Sequence, residues 1–314
     1  MDTLVSLIQT TAELGLTSAL LVLALFLSYE MLNICDLSTD GCFTLGAVVG
    51  ASVAIAGHPY LSIIAAMAAG VLSGFITALL QTKMGINSLL AGIVVNTGLY
   101  SINIAIMKGA SQLNLNKSDT IFTKLKDLLS GSVLEGYVKL IIPLVAVVLV
   151  CLFLILFLRT RLGLAIRATG NNPDMVRSSS VNTAFTTIVG LCIANSFTAL
   201  SGCLLAQSQK SANIDIGTGM VTVALASLLI GTVFVRKGKI PARVISMVLG
   251  AIAFRLIYTL ALRLNMPAFM IKLVSSVIVI IAIFVPYLKE QMPMIVRRFK
   301  HRDKKGGQKD VSTQ

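Results

Sequence analysis

Apolar runs long enough to cross a lipid bilayer recur along the whole sequence, and short polar connections separate them. An α-helix rises about 1.5 Å per residue, so about 20 apolar residues cross the hydrocarbon core. Of the 314 residues, 56% are hydrophobic and 12% are charged, whereas about 25% of the residues of a soluble domain are charged. This composition excludes a soluble globular protein, and apolar residues at this density would collapse rather than stay disordered. The sequence therefore predicts an all-α polytopic membrane protein.

The apolar runs predict about nine transmembrane helices, with eight or ten as alternatives. The predicted ranges are Leu14–Ile34, Phe43–Ala56, Leu61–Leu80, Ile86–Met107, Val138–Leu158, Thr183–Ala206, Met220–Val235, Val244–Leu262 and Ala268–Pro286. The second and seventh runs are short for a full crossing and each begins beside a Gly-rich segment, so we expect broken or re-entrant helices there. Residues 1–290 are predicted to form one transmembrane domain, and residues 291–314 a basic cytoplasmic tail.

The 26 Lys and Arg residues outnumber the 13 Asp and Glu residues and give the chain a net charge of +13. Most of the basic residues lie in the C-terminal tail and in three connections on one side of the predicted membrane. Those connections contain Lys83, Arg159, Arg161, Arg167, Arg177, Arg236, Lys237, Lys239 and Arg243. Cytoplasmic connections carry such an excess, so the C-terminus is predicted to be cytoplasmic and the N-terminus outside. The basic excess then reflects topology and lipid contact, and no nucleic-acid binding is predicted.

Sequence motifs that would indicate catalysis are absent. No Gly-x-x-x-x-Gly-Lys-Ser/Thr motif is present to hold nucleotide phosphates, and the two histidines, His58 and His301, lie in a connection and in the tail. The five cysteines lack metal-ligand spacing and are interpreted as small apolar helix residues. Glu30 is the only acidic residue inside an apolar run, whereas ion-coupled carriers bury acids along their path. We therefore predict a non-enzymatic membrane protein without a metal site.

Two short sequences that precede the predicted broken helices resemble each other. Asp36-Leu-Ser-Thr-Asp-Gly-Cys precedes the second run, and Asp215-Ile-Gly-Thr-Gly-Met precedes the seventh. Each places polar and Gly residues before a helix of small residues, and the two lie on opposite sides of the predicted membrane. Transporters built from inverted repeats place discontinuous helices at corresponding positions. The similarity predicts an inverted repeat, with coincidence as the alternative.

Residues 159–182 form a predicted cytoplasmic segment with its own helix signals. Gly170 is predicted to end one helix, Asn172 to cap the next, and Pro173 to occupy its first turn. A short helix is expected from Pro173 to about Ser179. The segment is either a solvated connector or a docking surface for a cytoplasmic partner.

The run from Leu162 to Asn182 resembles the cytoplasmic coupling loop of ABC importer permeases of the branched-chain amino acid and ribose type. Four further motifs follow the order of that family: Asp36-Leu-Ser-Thr-Asp-Gly-Cys, the run from Gly85 to Asn103, Asp215-Ile-Gly-Thr-Gly, and Ala226-Ser-Leu-Leu-Ile-Gly with Gly238-Lys-Ile-Pro. The run from Gly85 is similar to a subgroup described as tryptophan/tyrosine importer permeases. The resemblance covers roughly residues 14 to 290.

The resemblance implies that two copies of this chain form a permease homodimer in the cell membrane. It also implies two cytoplasmic ATPase subunits and an extracytoplasmic substrate-binding (lipo)protein. ATP and Mg²⁺ would bind the partner ATPase, and this chain would carry no cofactor. Sugar-type members often have an additional N-terminal span that this chain is expected to lack, which favours an amino-acid substrate of the tryptophan/tyrosine kind. The alternatives are a stand-alone secondary transporter or channel, a membrane scaffold, or a sugar or nucleoside permease.

Two sets of candidate site residues follow. Coupling to the ATPase is assigned to Gly170, Asn171, Asn172, Pro173, Asp174, Met175 and Arg177. The translocation path is assigned to polar residues in the predicted spans: Asn96, Thr97, Asn103, Asn195, Ser196 and Arg255. The alternative for the amides and hydroxyls is interhelical hydrogen bonding, worth about 0.6 kcal/mol each. Arg255 is predicted to be either a structural clamp that finds carbonyls or an acid, or a residue of the path.

Overall fold

The computed structural model describes residues 2–128, 136–235 and 238–263, together with positions 273, 276, 277, 280 and 284. The helices are α1 (Asp2–Leu25), α2 (Thr39–Ile55), α3 (Pro59–Thr82), α4 (Ser88–Ile106), α5 (Ile121–Leu128), α6 (Val138–Phe157), α7 (Arg161–Asn171), α8 (Pro173–Ser178), α9 (Thr183–Gln209), α10 (Met220–Phe234) and α11 (Ile240–Arg263). A π-helical segment, Phe26–Met31, continues α1. Two short strands, β1 (Gln112–Asn114) and β2 (Ser211–Asn213), pair antiparallel.

Six of the described helices are long and apolar enough to cross a membrane, and α2 and α10 are shorter apolar helices. The prediction of a polytopic, helical membrane protein is therefore confirmed. Of the ninth predicted span, Ala268–Pro286, only positions 273, 276, 277, 280 and 284 are described, and they are helical; the tail at 291–314 lies outside the described residues. The count of nine, the orientation with the N-terminus outside, and the division at residue 290 stay predictions.

Helix α9 lies at the centre of the bundle and packs against α1, α2 and α3. Small residues on α2 and α3 allow both helices to approach α9 closely. A Cβ atom at Gly46 of α2 would overlap the backbone of Ala199, and one at Gly70 of α3 would overlap the carbonyl oxygen of Asn195. In a membrane, where lipid is as apolar as the helix surfaces, such close van der Waals packing is a main source of helix association.

Helix α9 runs the length of the bundle, and different elements lie at its two ends. We call the end that holds α7 and α8 the connector end, and the end that holds β1 and β2 the ribbon end. Helix α2 runs toward the ribbon end, where its Ala47, Ala51 and Ala54 pack with Leu115 and Ala212. Helix α10 runs toward the connector end.

The eighth span begins earlier than predicted. Arg243 was expected in a connection, but α11 begins at Ile240, and Arg243 lies in its first turns. Pro241 suits the start of a helix, because its missing N–H would have no partner there in any case. The Arg243 guanidinium forms an ion pair with Glu30 and lies 5.5 Å from the ring centroid of Phe26. This pairing allows an Arg to enter an apolar helix.

Candidate functional site

Helix α2 begins inside the bundle, at the carboxylate of Asp36. The Oδ1 atom of Asp36 accepts a 2.8 Å hydrogen bond from the Ser38 N–H. The Oδ2 atom of Asp36 accepts a 3.0 Å hydrogen bond from Nδ2 of Asn195, which lies near the middle of α9. The backbone carbonyl of Asp36 accepts a further bond from Thr39 Oγ1. Asp36 is only 2% exposed, so these donors replace the water that the carboxylate would otherwise need. The chain thus turns at mid-depth, as expected for a discontinuous helix.

Helix α10 also begins inside the bundle, and Asp40 in the first turn of α2 holds its N-terminus. The Asp40 carboxylate accepts hydrogen bonds from the N–H of Gly219 (2.9 Å) and of Val221 (2.8 Å). The first N–H groups of a helix lack intrahelical partners and carry a partial positive charge. An anionic acceptor at this position therefore stabilises α10 and ties its start to that of α2. The two helices leave this point in opposite directions, and the inverted repeat itself stays a prediction.

A polar cavity of about 310 Å³ lies beside the point where α2 and α10 begin. It is lined by Asp40, Gly41, Thr44, Asn96, Thr97, Tyr100, Asn103, Ile214, Asp215 and Thr218. The structure thus brings together three of the predicted path residues, Asn96, Thr97 and Asn103, all on α4. Tyr100 and Thr97 also belong to the exposed side of α4, so the cavity opens on that side.

Asn103 is the most buried polar residue of this cavity, at 1% exposure. Its Nδ2 donates a 3.3 Å hydrogen bond to the Gly41 carbonyl, while its Oδ1 has no hydrogen-bond partner. Because the Gly41 carbonyl can only accept a hydrogen bond, the Asn103 side-chain atom that contacts it must be the donor Nδ2. The other side-chain atom of the amide is therefore Oδ1. Thr97 donates instead to the Ile93 carbonyl of its own helix.

The structure does not bring the other three predicted path residues to this cavity. Asn195 holds Asp36, as described above. Ser196 lines a separate, apolar cavity of about 930 Å³ between α3, α6 and α9. Arg255 is buried between α11 and α1, where its Nε donates to Ser18 Oγ (3.1 Å) and its guanidinium lies 5.4 Å from the Tyr258 ring centroid. Among the described residues, the partners of Arg255 are thus a hydroxyl and an aromatic ring, where we expected carbonyls or an acid.

The connector end contains the predicted coupling segment as two capped helices. The Thr160 hydroxyl accepts from the Gly163 N–H at the start of α7, and Asn172 Oδ1 accepts from the Met175 N–H at the start of α8. Asp174 and Arg177 form an exposed ion pair at 3.8 Å. Met175 is 68% exposed, whereas Val176 is buried. The segment therefore presents both charges and an apolar side chain on its surface, beside Asn171 and Pro173.

Gly170 packs against the backbone before α2 and does not end helix α7, although we had predicted that it would. Helix α7 does not end there but continues to Asn171. A Cβ atom at Gly170 would overlap the carbonyl oxygen of Met31 and crowd Leu32, the residues that lead into the turn before α2. Leu32 in turn lies against Gly190 of α9. The segment thus packs directly on the end of the π-helical segment, just before the turn that leads into α2.

The cavity residues that were missed from the sequence include Asp40, Tyr100, Asp215 and Thr218. A signal for three of them was present, because Asp40, Asp215 and Thr218 lie within the two similar sequences that precede the short helices. The similarity was interpreted as a sign of symmetry and not as a list of lining residues. Within the described ranges, no group of three or more His, Cys, Asp or Glu residues could hold a metal ion.

Comparison with known proteins gives a family for the chain. The family model described as "Branched-chain amino acid transport system / permease component" matches residues 7–283. No solved structure matches the chain.

Three relatives differ in the solutes that their names give. The tyrosine transport system permease protein of Clostridioides difficile is 30% identical over 85% of this chain and 86% of the relative. The ribose import permease protein of Escherichia coli strain K12 is 25% identical over 81% of this chain and 78% of the relative. The nucleoside ABC transporter permease protein of Lactococcus lactis is 26% identical over 52% of this chain and 49% of the relative.

Proposed function

Because the chain belongs to the family of branched-chain amino acid transport system permease components, we propose that it forms the membrane path of a binding-protein-dependent importer for an amino acid of the tyrosine or tryptophan kind. It is a multi-pass protein of the inner membrane. The family is a membrane component of ABC transporters, which implies ATPase and binding-protein partners.

The observation that carries the proposal is the polar cavity where α2 and α10 begin. The exposed side of α4, on which the cavity opens, also carries large apolar residues, including Leu90 and Val94. Such residues suit contact with lipid or with another apolar helix. Carboxylates and amides do not face lipid without cost, and they occur where protein or a water-filled cavity surrounds them. We therefore place this side of α4 against a second copy of the chain, with the solute path between the two copies.

The energy for transport would come from a separate subunit. The sequence lacks a phosphate-binding loop, so ATP and Mg²⁺ would bind the partner ATPase, and this chain would have no enzymatic activity. The segment α7–α8 is the proposed docking site. Its contact through Gly170 with Met31 and Leu32 would pass a displacement from the ATPase to the turn that holds Asp36.

The substrate is proposed from the similarity to the Clostridioides difficile tyrosine permease, which is the relative with the higher identity and coverage of the three described. A sugar or nucleoside is the second candidate, since relatives with those names also match. A stand-alone secondary transporter is the third. The buried Asp36 and the half-buried Asp40 suit that class, but both carboxylates bind N–H groups at the starts of α2 and α10.

The test is uptake by the complete importer in proteoliposomes, with ATP inside and binding protein outside. We expect ATP-dependent accumulation of radiolabelled L-tyrosine or L-tryptophan, and none of D-ribose or uridine. Accumulation of ribose or uridine instead would overturn the substrate. Equal uptake with and without ATP, or without the ATPase subunit, would overturn the importer and favour a secondary transporter.

A further inference from the structure

We infer that the apolar cavity between α3, α6 and α9 binds an acyl chain of an anionic phospholipid, whose headgroup contacts Lys139 and Lys210 at the ribbon end. We call this cavity the α6 groove. The inference assigns a ligand to a part of the chain that lies outside the proposed translocation path. It depends on the location of the protein in a membrane, and it does not depend on the transported solute.

The α6 groove is an apolar cleft of about 930 Å³. Of the described residues that line it, only Ser196 carries a hydroxyl, and the others are apolar. Helices α3, α6 and α9 are each long and apolar enough to cross a membrane. On α6 the lining extends from Ile141 to Phe153, which is about 18 Å along the helix axis, and one leaflet contributes about 15 Å of hydrocarbon. The groove is therefore long enough for an acyl chain that crosses one leaflet.

The outer edge of the α6 groove is open. Val71 on α3 and Leu149 and Phe153 on α6 line this edge and are exposed, whereas Leu200 and Leu204 of α9 form a buried floor. An apolar cleft holds no ordered water, and an empty one would leave its walls without van der Waals partners. Since the cleft lies among membrane-spanning helices and opens to their outside, hydrocarbon of the bilayer fills it.

The ribbon end of the α6 groove adjoins a second cavity, of about 730 Å³. Neighbouring residues of α6 line the two cavities, because Val138 and Lys139 line the second cavity and Ile141 and Ile142 line the groove. Lys210, which directly follows α9, also lines the second cavity. A lipid whose chain occupies the groove would thus have its headgroup in the second cavity.

Helix α5 indicates that the second cavity lies at the level of the lipid headgroups. Ile121 and Phe122 are buried and Leu125 lines the α6 groove, whereas Asp127 is exposed. Amphipathic helices of this kind lie in the plane of the membrane interface. Gln207, near the end of α9, accepts a hydrogen bond from the Ile121 N–H, and this bond holds α5 at the ribbon end of the groove.

The phosphate of an anionic phospholipid fits the two lysines. The side chains of Lys139 and Lys210 form no ion pair with any residue that the structure describes. The acidic Glu13 in the same lining accepts a hydrogen bond from Gln9. Basic residues at headgroup level attract anionic lipids, and each charge adds to the attraction. A choline headgroup would bring its own cation to the lysines, so the site prefers phosphatidylglycerol to phosphatidylcholine.

The test is fluorescence quenching by lipids that are brominated in the acyl chain. The sequence contains no Trp, so Leu149→Trp supplies a single reporter in the α6 groove. The full chain is reconstituted in phosphatidylcholine bilayers with the same mole fraction of brominated phosphatidylglycerol or brominated phosphatidylcholine. We expect the binding constant from quenching to be about tenfold higher for phosphatidylglycerol. Val145→Trp, a second reporter in the groove lining, should give the same preference.

Val148→Trp is the matched control for the reporter. Val148 is adjacent to Leu149 and similarly exposed, at 56% against 60%, but it is not among the residues that line the groove. Both lipids should quench it equally, because it contacts only the surrounding bilayer.

Two charge variants assign the preference to the named lysines. With Leu149→Trp as the reporter, Lys139→Gln and Lys210→Gln should each reduce the preference about threefold, and the double variant should abolish it. Lys108→Gln removes the same charge from an exposed position after α4, also at the ribbon end, and should leave the preference unchanged.

Three results would overturn the lipid site. The first is equal quenching by the two lipids at Leu149→Trp. The second is the absence of quenching there while Val148→Trp is quenched, because a protein segment would then fill the groove. The third is an equal effect of Lys108→Gln and Lys139→Gln, which would indicate a general surface charge. Since the ATPase and the binding protein are not needed for quenching, these results leave the proposed function untouched.

Discussion

Asp36 and Asn195 join the start of α2 to the middle of α9 through a 3.0 Å hydrogen bond between side chains that are both buried. The bond spans 159 residues of sequence. It fixes the depth at which the chain reverses, and therefore the depth at which the polar cavity forms. The position of the candidate site thus depends on a pair that does not line it.

Replacement of Asn195 by Ala should destabilise the protein. Asp36 Oδ2 would lose its side-chain donor in a buried position, which costs about 1–3 kcal/mol. We expect a lower apparent unfolding temperature in detergent or nanodiscs. Ser196→Ala, at the adjacent buried position, is the control and should have a smaller effect. A double-mutant cycle with Asp36→Ala completes the test: strictly additive effects would contradict a direct interaction.

Asp40→Ala should release the start of α10. Loss of an N-terminal cap costs about 0.5–2 kcal/mol, and 1.4 kcal/mol corresponds to about a tenfold change in equilibrium. We therefore expect the amides of Gly219 and Val221 to exchange hydrogen for deuterium about tenfold faster, measured by mass spectrometry on peptides that cover 215–224. Asp40→Asn, which keeps one carbonyl acceptor, should be intermediate. Unchanged exchange in Asp40→Ala would contradict the proposed cap.

The sequence predicted the helices well because length and hydropathy decide which segments cross a membrane. It also predicted interrupted helices before Phe43 and Met220, since Gly and polar residues stand there. It did not reveal that Asp40 binds the start of α10, because those groups are separated by 179 residues or more. Only the packing of α2 between α9 and α10 brings them together.

The candidate site was predicted in part for a similar reason. Asn96, Thr97 and Asn103 share one helix, α4, and all three line the cavity. Asn195 and Ser196 are equally polar and equally central in their helix, but α9 is surrounded by other helices. A polar side chain in a transmembrane helix requires a hydrogen-bond partner. The neighbours of the helix decide whether that partner is a side chain or a solute.

Gly170→Ala should impair coupling although Ala is the better helix former by about 1 kcal/mol. The added methyl would overlap the Met31 carbonyl oxygen, and overpacking of this kind costs about 1–3 kcal/mol. We expect lower ATP-driven uptake and a changed ratio of ATP hydrolysed to solute transported. Ala168→Ser adds one atom at an exposed position of the same helix and should leave both values unchanged. An unaffected Gly170→Ala importer would argue against transmission through this contact.

Met175→Asp should weaken the complex with the ATPase without unfolding the permease. Met175 is 68% exposed on α8, so its apolar surface is available to a partner, and a carboxylate there would have to be desolvated on docking. We expect less ATPase to co-purify and an unchanged unfolding temperature of the permease. Met84→Asp is the matched control, because Met84 is 63% exposed and lies in the connection after α3. If both variants lose the ATPase equally, the docking surface extends beyond α8.

The orientation of the chain is testable at the two ends of α9. The ribbon end should lie outside the cell, because the basic connections between the spans lie mostly at the other end and such connections stay in the cytoplasm. Single cysteines at Asn114 on β1 and at Ser179 after α8, both exposed positions, are introduced into a chain whose native cysteines are replaced by Ala. A membrane-impermeant maleimide should label Asn114→Cys in intact cells, and Ser179→Cys only after permeabilisation. Because β1 pairs with β2 and Ser179 precedes α9, the two sites report on opposite ends of one helix. Labelling of Ser179→Cys in intact cells would reverse the orientation, and the α7–α8 segment would then lie on the wrong side of the membrane to meet an ATPase.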